Sequence, residues 1–292
     1  MNHFIALLLL LSFDPDVYPP ISEPQPLTDH EAIMIVVNYY YEGVHMRDLN
    51  ALGRAYHPEA VFTFVDAGQD QVEQFPIGEY LHTLYDAEKH FEQRDRKLKI
   101  HEVDVSGNVA MVKSCITYSA RGYRIFDYLT LTKDEGEWRI IRRASYKQMA
   151  SFETEDYLGV RSKRKEKAYI RSKLRSYLHD HESANWVGFL AAFHPAAKVT
   201  QVDPRGQKCF TWNLDQYQSE LNHSEMLEKF PRKGVIDLID MEGNIAIAKV
   251  HLYYPKLKTF TVDFLTLVKT NGQWQIIQKA THKEPRALAM PG

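Results

Sequence analysis

The stretch AYHPEAVFTFVD, residues 55–66, is written a second time as AFHPAAKVTQVD, residues 192–203. Laid over each other, residues 31–148 and 168–284 keep this agreement to both ends. Tyr40 falls on Tyr177, His57 on His194, Pro58 on Pro195 and Tyr80 on Tyr217 without a gap. After a one-residue slip, Gly107-Asn108 falls on Gly243-Asn244, Lys113 on Lys249, Asp127 on Asp263 and Trp138 on Trp274. Matches at near-constant spacing over that length mark a tandem duplication, each copy the size of a domain.

One copy reads as helix, helix, strand, helix, then a run of strands. Residues 30–46 place apolar side chains at helical spacing, and Asp48 can cap a second helix, LNALGRAYH. His57 and His194 invite a catalytic reading, but each precedes a proline. They read as helix stops, with the ring meeting the free carbonyls of the last turn. VFTFVD is a strand, 78–93 a long amphipathic helix, and the segment from 99 to 147 a series of strands with turns at Gly107-Asn108 and 134–136. Trp138 and Trp274 read as sheet-packing aromatics. Helices first and a meander afterwards predict α+β. The expectation is two tandem cone-like domains, each with about three N-terminal helices packed in a curved antiparallel sheet.

The domains are then 29–148 and 166–285, joined by a charged linker, 149–165, and followed by a tail, 286–292. The RSKRKEK run in the linker reads as a solvated segment or a first helical turn. Ahead of the first domain lies a Pro-rich spacer, 14–28, and before it an apolar run within 1–13. That run is too short to span a bilayer, so no stable membrane span is expected. Its length matches a secretory signal, so export is expected, with a cytoplasmic protein as the alternative. The net charge of -2 gives no field that would gather nucleic acid. The two cysteines, Cys115 and Cys209, sit at non-equivalent places in the repeat and suggest neither a disulfide nor a metal site. No histidine lies in a metal-binding spacing, HDHE (179–182) included, and no phosphate loop occurs, so no metal or cofactor is expected.

The order helix, GVHMRDLNALGRAYHPEA, long helix, DVSGNVAMVKSCITYS, FDYLTLTKDEGEWRIIRRASYK resembles the nuclear-transport-factor-2-like superfamily. Within it the chain is similar to the "putative lumazine-binding" group, related to polyketide-cyclase-like and ketosteroid-isomerase-like domains. The second copy matches the same pattern through AFHPAAKV and VDFLTLVKTNGQWQIIQKATHK. The resemblance implies a pocket under the helices in each cone. Single-domain members commonly dimerise through their sheets, which implies an intramolecular pseudo-dimer or a homodimer here.

The isomerase branch needs a carboxylate base and two oxyanion donors, a tyrosine and a protonated aspartate; it is a standard example of a carboxylic acid held neutral by an apolar site. The resemblance puts these donors on Tyr40 and Asp127, and on Tyr177 and Asp263 in the second copy. The base position holds Phe64 in one copy and Gln201 in the other, neither of which can take a proton. Asp66 and Asp203 lie two residues further on, about 6–7 Å along a strand. Asp127 shares a strand face with Leu129 and Leu131, where a carboxylate needs a partner. It reads either as a polar anchor for a ligand or as a buried Asp satisfied by Tyr40 or the His-Pro segment. If the final strand contributes to the pocket, the first copy offers Arg142 where the second offers Gln278. The expected pocket is Tyr40, Phe64, Asp127, Leu129, Arg142, Tyr177, Gln201, Asp263 and Leu265. The function expected is binding of a small, largely apolar molecule without catalysis. The alternatives are an isomerase-, dehydratase- or cyclase-type enzyme using Tyr40, Asp127 and Asp66, and a protein-interaction scaffold with filled pockets.

Overall fold

The computed structural model describes residues 26–65, 72–86, 96–149, 157–223, 233–255 and 259–284. The export run 1–13, residues 14–25 of the spacer, Asp66, residues 87–93 of the expected third helix and the tail 286–292 lie outside the described residues. Helix α1 (Asp29–Met46) opens on a capping box: Thr28 Oγ1 accepts from the Glu31 amide at 3.3 Å, and the Glu31 carboxylate accepts from the Thr28 amide at 2.9 Å. Its inward stripe is Ile33, Val36, Val37 and Tyr40, an i, i+3, i+4, i+7 series. Asp48 caps α2 (Leu49–Ala55) through the Asn50 and Ala51 amides.

The second helix stops two residues earlier than its sequence suggests. His57 belongs to β1 (Tyr56–Val65), not to the helix. A residue before proline is excluded from the helical region, and Tyr56 has already turned extended to pair with Ile140. The imidazole acts on the strand instead: His57 Nδ1 accepts from the Glu59 amide at 3.1 Å. His194 repeats this on the Ala196 amide at 3.2 Å. The repeated His-Pro is thus a side-chain-closed turn around the proline.

β2 (Val72–Pro76) and α3 (Ile77–Asp86) follow, then β3 (Arg96–Ser106), β4 (Val109–Tyr118), β5 (Tyr123–Asp134) and β6 (Glu137–Met149). The sheet order is β2-β1-β6-β5-β4-β3, antiparallel except for the parallel pair β1 and β6. The second unit repeats it with α4 (Tyr157–Glu182), α5 (Trp186–Leu190), β7 (Phe193–Val202), β8 (Cys209–Asn213), α6 (Leu214–His223), β9 (Lys233–Glu242), β10 (Ile245–Tyr254), β11 (Thr259–Thr270) and β12 (Gln273–Glu284). The chain is therefore α+β in two tandem cone-like domains. Helix α4 begins at Tyr157, so the RSKRKEK run is helical. In each unit an acid on the first helix grips the last hairpin. Asp29 accepts from the Trp138 indole at 2.8 Å and Lys133 at 2.7 Å; Glu166 accepts from Trp274 at 2.7 Å and Lys269 at 2.8 Å.

Each sheet buries one face under its own helices and the other against its neighbour. Val109, Met111, Tyr128 and Ala144 of the first sheet share a core with Ile245, Ile247, Phe264 and Ala280 of the second. Polar contacts cross this core in pairs with exchanged roles. Lys113 Nζ reaches Asp240 at 2.5 Å, and Lys249 Nζ reaches Asp104 at 2.8 Å. Tyr128 Oη donates to Asp240 at 2.6 Å, and the equivalent hydroxyls of Thr130 and Thr266 meet at 2.9 Å. The turn glycines sit under the opposing unit's last strand. A Cβ on Gly107 (φ +57°) would lie 2.1 Å from the His282 ring, and one on Gly243 (φ +54°) 2.1 Å from Tyr146.

Gly243→Ala should therefore cost more than the ~1–2 kcal/mol of left-handed strain alone. Gly272→Ala has φ +73° with open space around it and should cost that strain only. Urea denaturation of both variants separates the steric term. Burial pushes the Asp240 carboxyl up, but hydrogen bonds from Lys113 and Tyr128 and the charges of Lys113 and Lys167 outweigh it, holding the pKa at about 2. A pKa lower in the folded than in the unfolded chain contributes stability fully above about pH 4, lost as pH falls through about 2. Acid denaturation should weaken the protein across that window, and Asp240→Asn should flatten this part of the profile.

Candidate functional site

Asp127 lies on the helix-facing side of β5, fully buried in the first unit. Tyr40 Oη donates to its Oδ2 at 2.7 Å, Arg143 Nε donates to Oδ1 at 3.0 Å, and Ser145 Oγ donates to the same oxygen. Arg143 Nη1 continues to Tyr80 Oη at 2.9 Å. The guanidinium lies 4.6 Å from the Phe62 ring centroid, 5.0 Å from Tyr40 and 5.7 Å from Tyr80. Phe62 and Tyr80 pack with centroids 4.5 Å apart, and Phe64 stands beside Phe62, half-buried on the same side of β1. Burial opposes the Arg143 charge, but Asp127 and the surrounding tyrosines hold its pKa well above the ordinary value. Burial holds Tyr40 a neutral phenol.

Arg142 is not in this pocket. The Thr130–Arg142 and Leu131–Ile140 pairs leave Ile141 unpaired, a bulge that inserts one residue and reverses the alternation. Arg143 consequently turns under the helices and Arg142 turns toward the second unit. There Arg142 donates to Thr63 Oγ1 at 2.8 Å, the Ile277 carbonyl at 3.2 Å and Gln278 Oε1 at 3.3 Å. Burial lowers its pKa to about 9, still cationic at neutral pH. β12 carries the same bulge between Ile276 and Gln278.

The bulge therefore places Lys279 where the first unit has Arg143. Asp263, fully buried, accepts from Lys279 Nζ and from Thr281 Oγ1 at 2.8 Å. Tyr177 is buried and stacks on Phe189 at 4.9 Å. Leu129 and Leu265 belong to the two helix-side cores, and Gln201 is exposed near the end of β7. Asp203 Oδ1 accepts from its own loop, the Gln207 amide at 2.6 Å and the Lys208 amide at 3.2 Å.

In this arrangement Tyr40 and Asp127 bond each other within the fold. Three donors, from Tyr40, Arg143 and Ser145, are aimed at the Asp127 oxygens, so Asp127 is engaged as an acceptor within the fold. The Tyr40 hydroxyl is committed to Asp127 itself. Ser114 Oγ, buried, has no hydrogen-bond partner among the described residues, while Tyr56 Oη, also buried, bonds the Arg143 side chain. Tyr56 meets Tyr40 edge-to-face at 6.0 Å, and Ser114 is the direct cross-strand neighbour of Asp127. A buried hydroxyl such as that of Ser114 costs about 1–3 kcal/mol if nothing satisfies it. Sequence reasoning missed Arg143, Ser145, Tyr56 and Ser114; the recurrence of Tyr80 as Tyr217 was the one signal for the α3 contribution. Among the described residues no group of three His, Cys, Asp or Glu side chains could hold a metal, and no helix is long and apolar enough to cross a membrane.

A pair of tandem units with these features defines an α+β cone protein with a buried cation–carboxylate pair in each cone. The chain belongs to the family described as "Putative lumazine-binding", which matches residues 28–146 and again 165–282. It is similar to an NTF2-like protein of unknown function from Shewanella baltica, 20% identical, with 45% of this chain and 99% of that one covered and a TM-score of 0.37. A second NTF2-like protein, from Silicibacter pomeroyi, is 24% identical over 42% of this chain and 100% of its own, at 0.36. Among curated proteins, aldolase FrzH of Cladobotryum sp is 39% identical over 54 residues, 18% of this chain. The chain spans 43% of that relative's length.

Asp127→Asn leaves the Arg143 guanidinium buried without its counter-charge and should cost about 3–5 kcal/mol. Adding Arg143→Met should recover part of that loss. Chemical denaturation of the single and double variants checks both.

Proposed function

We propose that the chain is a non-catalytic binding protein whose first unit holds a small, largely apolar molecule against Phe62, Tyr80 and Arg143. One observation carries this reading. Arg143 is anchored through Nε and Nη1 and lies within about 4.6–5.7 Å of the Phe62 and Tyr80 rings. A fixed donor beside apolar walls is the usual composition of a small-molecule site. The family description points the same way, to a flat heteroaromatic ligand. Against the isomerase-type alternative stands the engagement of Asp127, Tyr40 and, in the second unit, Asp203 within the protein. In the same reading the second unit, packed sheet to sheet, takes the place of the partner subunit in a homodimer, and residues 1–13 direct export.

Titration of the full chain with the neutral fluorophore N-phenylnaphthylamine should give saturable binding. Phe62→Ala should weaken it about tenfold through lost apolar contact, with circular dichroism confirming the fold. Absence of saturable binding, or an unchanged affinity in Phe62→Ala, would sink the reading.

A further inference from the structure

The RSKRKEK run and the helix that contains it carry charge that the cones do not use. Helix α4 turns Ile170, Leu174, Tyr177 and Leu178 into the core of the second unit. Lys163 and Lys167 reach sideways to β9, meeting Glu242 at 2.7 Å and Asp240 at 3.2 Å. Arg164, Lys165, Arg171 and Arg175 do neither. Each is exposed, and none makes an ion pair or hydrogen bond among the described residues. The acids of the helix are engaged elsewhere: Glu166 with Trp274 and Lys269, Asp180 with Asn185, and Glu182 with the Gly234 amide. Arg164, Ala168, Arg171 and Arg175 follow i, i+4, i+7, i+11 spacing, one stripe, beside a second of Lys165, Ser172 and Ser176. From Arg164 to Arg175 the stripe runs roughly 16 Å at the helical rise per residue.

Packing does not demand these cations. Their repeat equivalents are Leu27, Thr28, Met34 and Asn38, and α1 seats on its sheet without them. Arg171 and Arg175, four residues apart, also repel each other along the helix. We infer that this outward face of α4 docks on a surface of anionic lipid headgroups. The cations stand on a ridge among small residues, Ala168, Ser172 and Ser176, so a plane of phosphates meets the whole stripe at once. Guanidinium forks and a lysine ammonium suit phosphate oxygens. Tyr169, 42% exposed at the flank of the stripe, offers the amphipathic ring favoured at headgroup level. A single strand of nucleic acid calls for a groove lined with stacking rings, whereas this face is a ridge. The net charge of -2 supplies no long-range field for a duplex. A lipid surface sets many phosphates against one local patch, and charge elsewhere on the chain is screened within a Debye length.

The test is sedimentation of the full chain with vesicles of phosphatidylcholine alone and of phosphatidylcholine mixed with phosphatidylglycerol. The chain should pellet with the mixed vesicles at low salt, stay in solution with the neutral ones, and be released as salt rises. Arg171→Glu with Arg175→Glu should weaken binding about tenfold or more, and Arg171→Gln with Arg175→Gln should weaken it less. Lys97→Glu with Lys99→Glu, the same charge change on exposed residues of β3, should leave it nearly unchanged. All of these side chains are exposed, and melting curves matching the wild type confirm the fold. Equal sedimentation with neutral vesicles, unchanged binding in the α4 variants, or an equal loss in the β3 variant overturns the inference. So does a chain that stays in solution with every vesicle. A DNA duplex that strips the chain from the vesicles at matched phosphate concentration overturns it as well, because the face then prefers nucleic acid.

Discussion

One unpaired residue in β6, Ile141, decides which of two adjacent arginines turns under the helices and which turns toward the other unit. Without the bulge, strict alternation would put Arg142 with Trp138 and Ile140 under the helices and turn Arg143 toward the other unit. With it, Arg143 reaches Asp127, Tyr80 and the aromatic wall, while Arg142 reaches Thr63 and Gln278. Both placements are needed together. Asp127 sits on a face shared with Leu129 and Leu131, and Arg143 is the cation that bonds it among the described residues. The sheet gains a polar anchor on one side and an interface contact on the other from the same local irregularity.

The interface shows what duplication permits. Where two equivalent faces pack around a two-fold relation, residues near the axis meet their own equivalents. Thr130 meets Thr266 and Arg142 meets Gln278, while off-axis pairs such as Lys113–Asp240 recur as Lys249–Asp104. A first unit facing a copy of itself would bring two buried Arg142 guanidinium groups together with no acid between them. Like charges in that setting repel strongly. Joining two units in one chain lets the axial position differ between them, Arg on one side and a glutamine acceptor on the other. That arrangement favours pairing within the chain over self-pairing of the first unit.

Much of this was legible in the sequence. Period-two alternation, Gly-Asn turns and the repeat itself gave the order of strands, because each reflects local backbone preference. The Asp48 cap and the buried Tyr40–Asp127 bond were within reach for the same reason: one is local, the other follows from the cost of a carboxylate on a leucine face. His57 and Arg142 were misplaced for different reasons. A His-Pro ends a helix in either reading, and only the neighbouring strand decides that Tyr56 is already extended. A bulge leaves no compositional trace; Ile-Ile-Arg-Arg alternates equally well in either phase. The parity of β6 is fixed by its partners, β5 and β1, and that information is not local.

The cation–carboxylate pair does not by itself argue for a ligand. Both units hold one, Arg143–Asp127 and Lys279–Asp263, buried within the structure and tying two strands together. Removing either half leaves a naked buried charge, so the pair resists loss even where it contributes little net stability. Such a pair is explained by packing alone. The hydroxyl of Ser114 is not: Ser114→Ala would remove, with almost no change of shape, a polar atom that has no partner among the described residues, and the second unit has Val250 there. Keeping such a group buried and unpaired costs about 1–3 kcal/mol, which the packing of the strands around it has to offset.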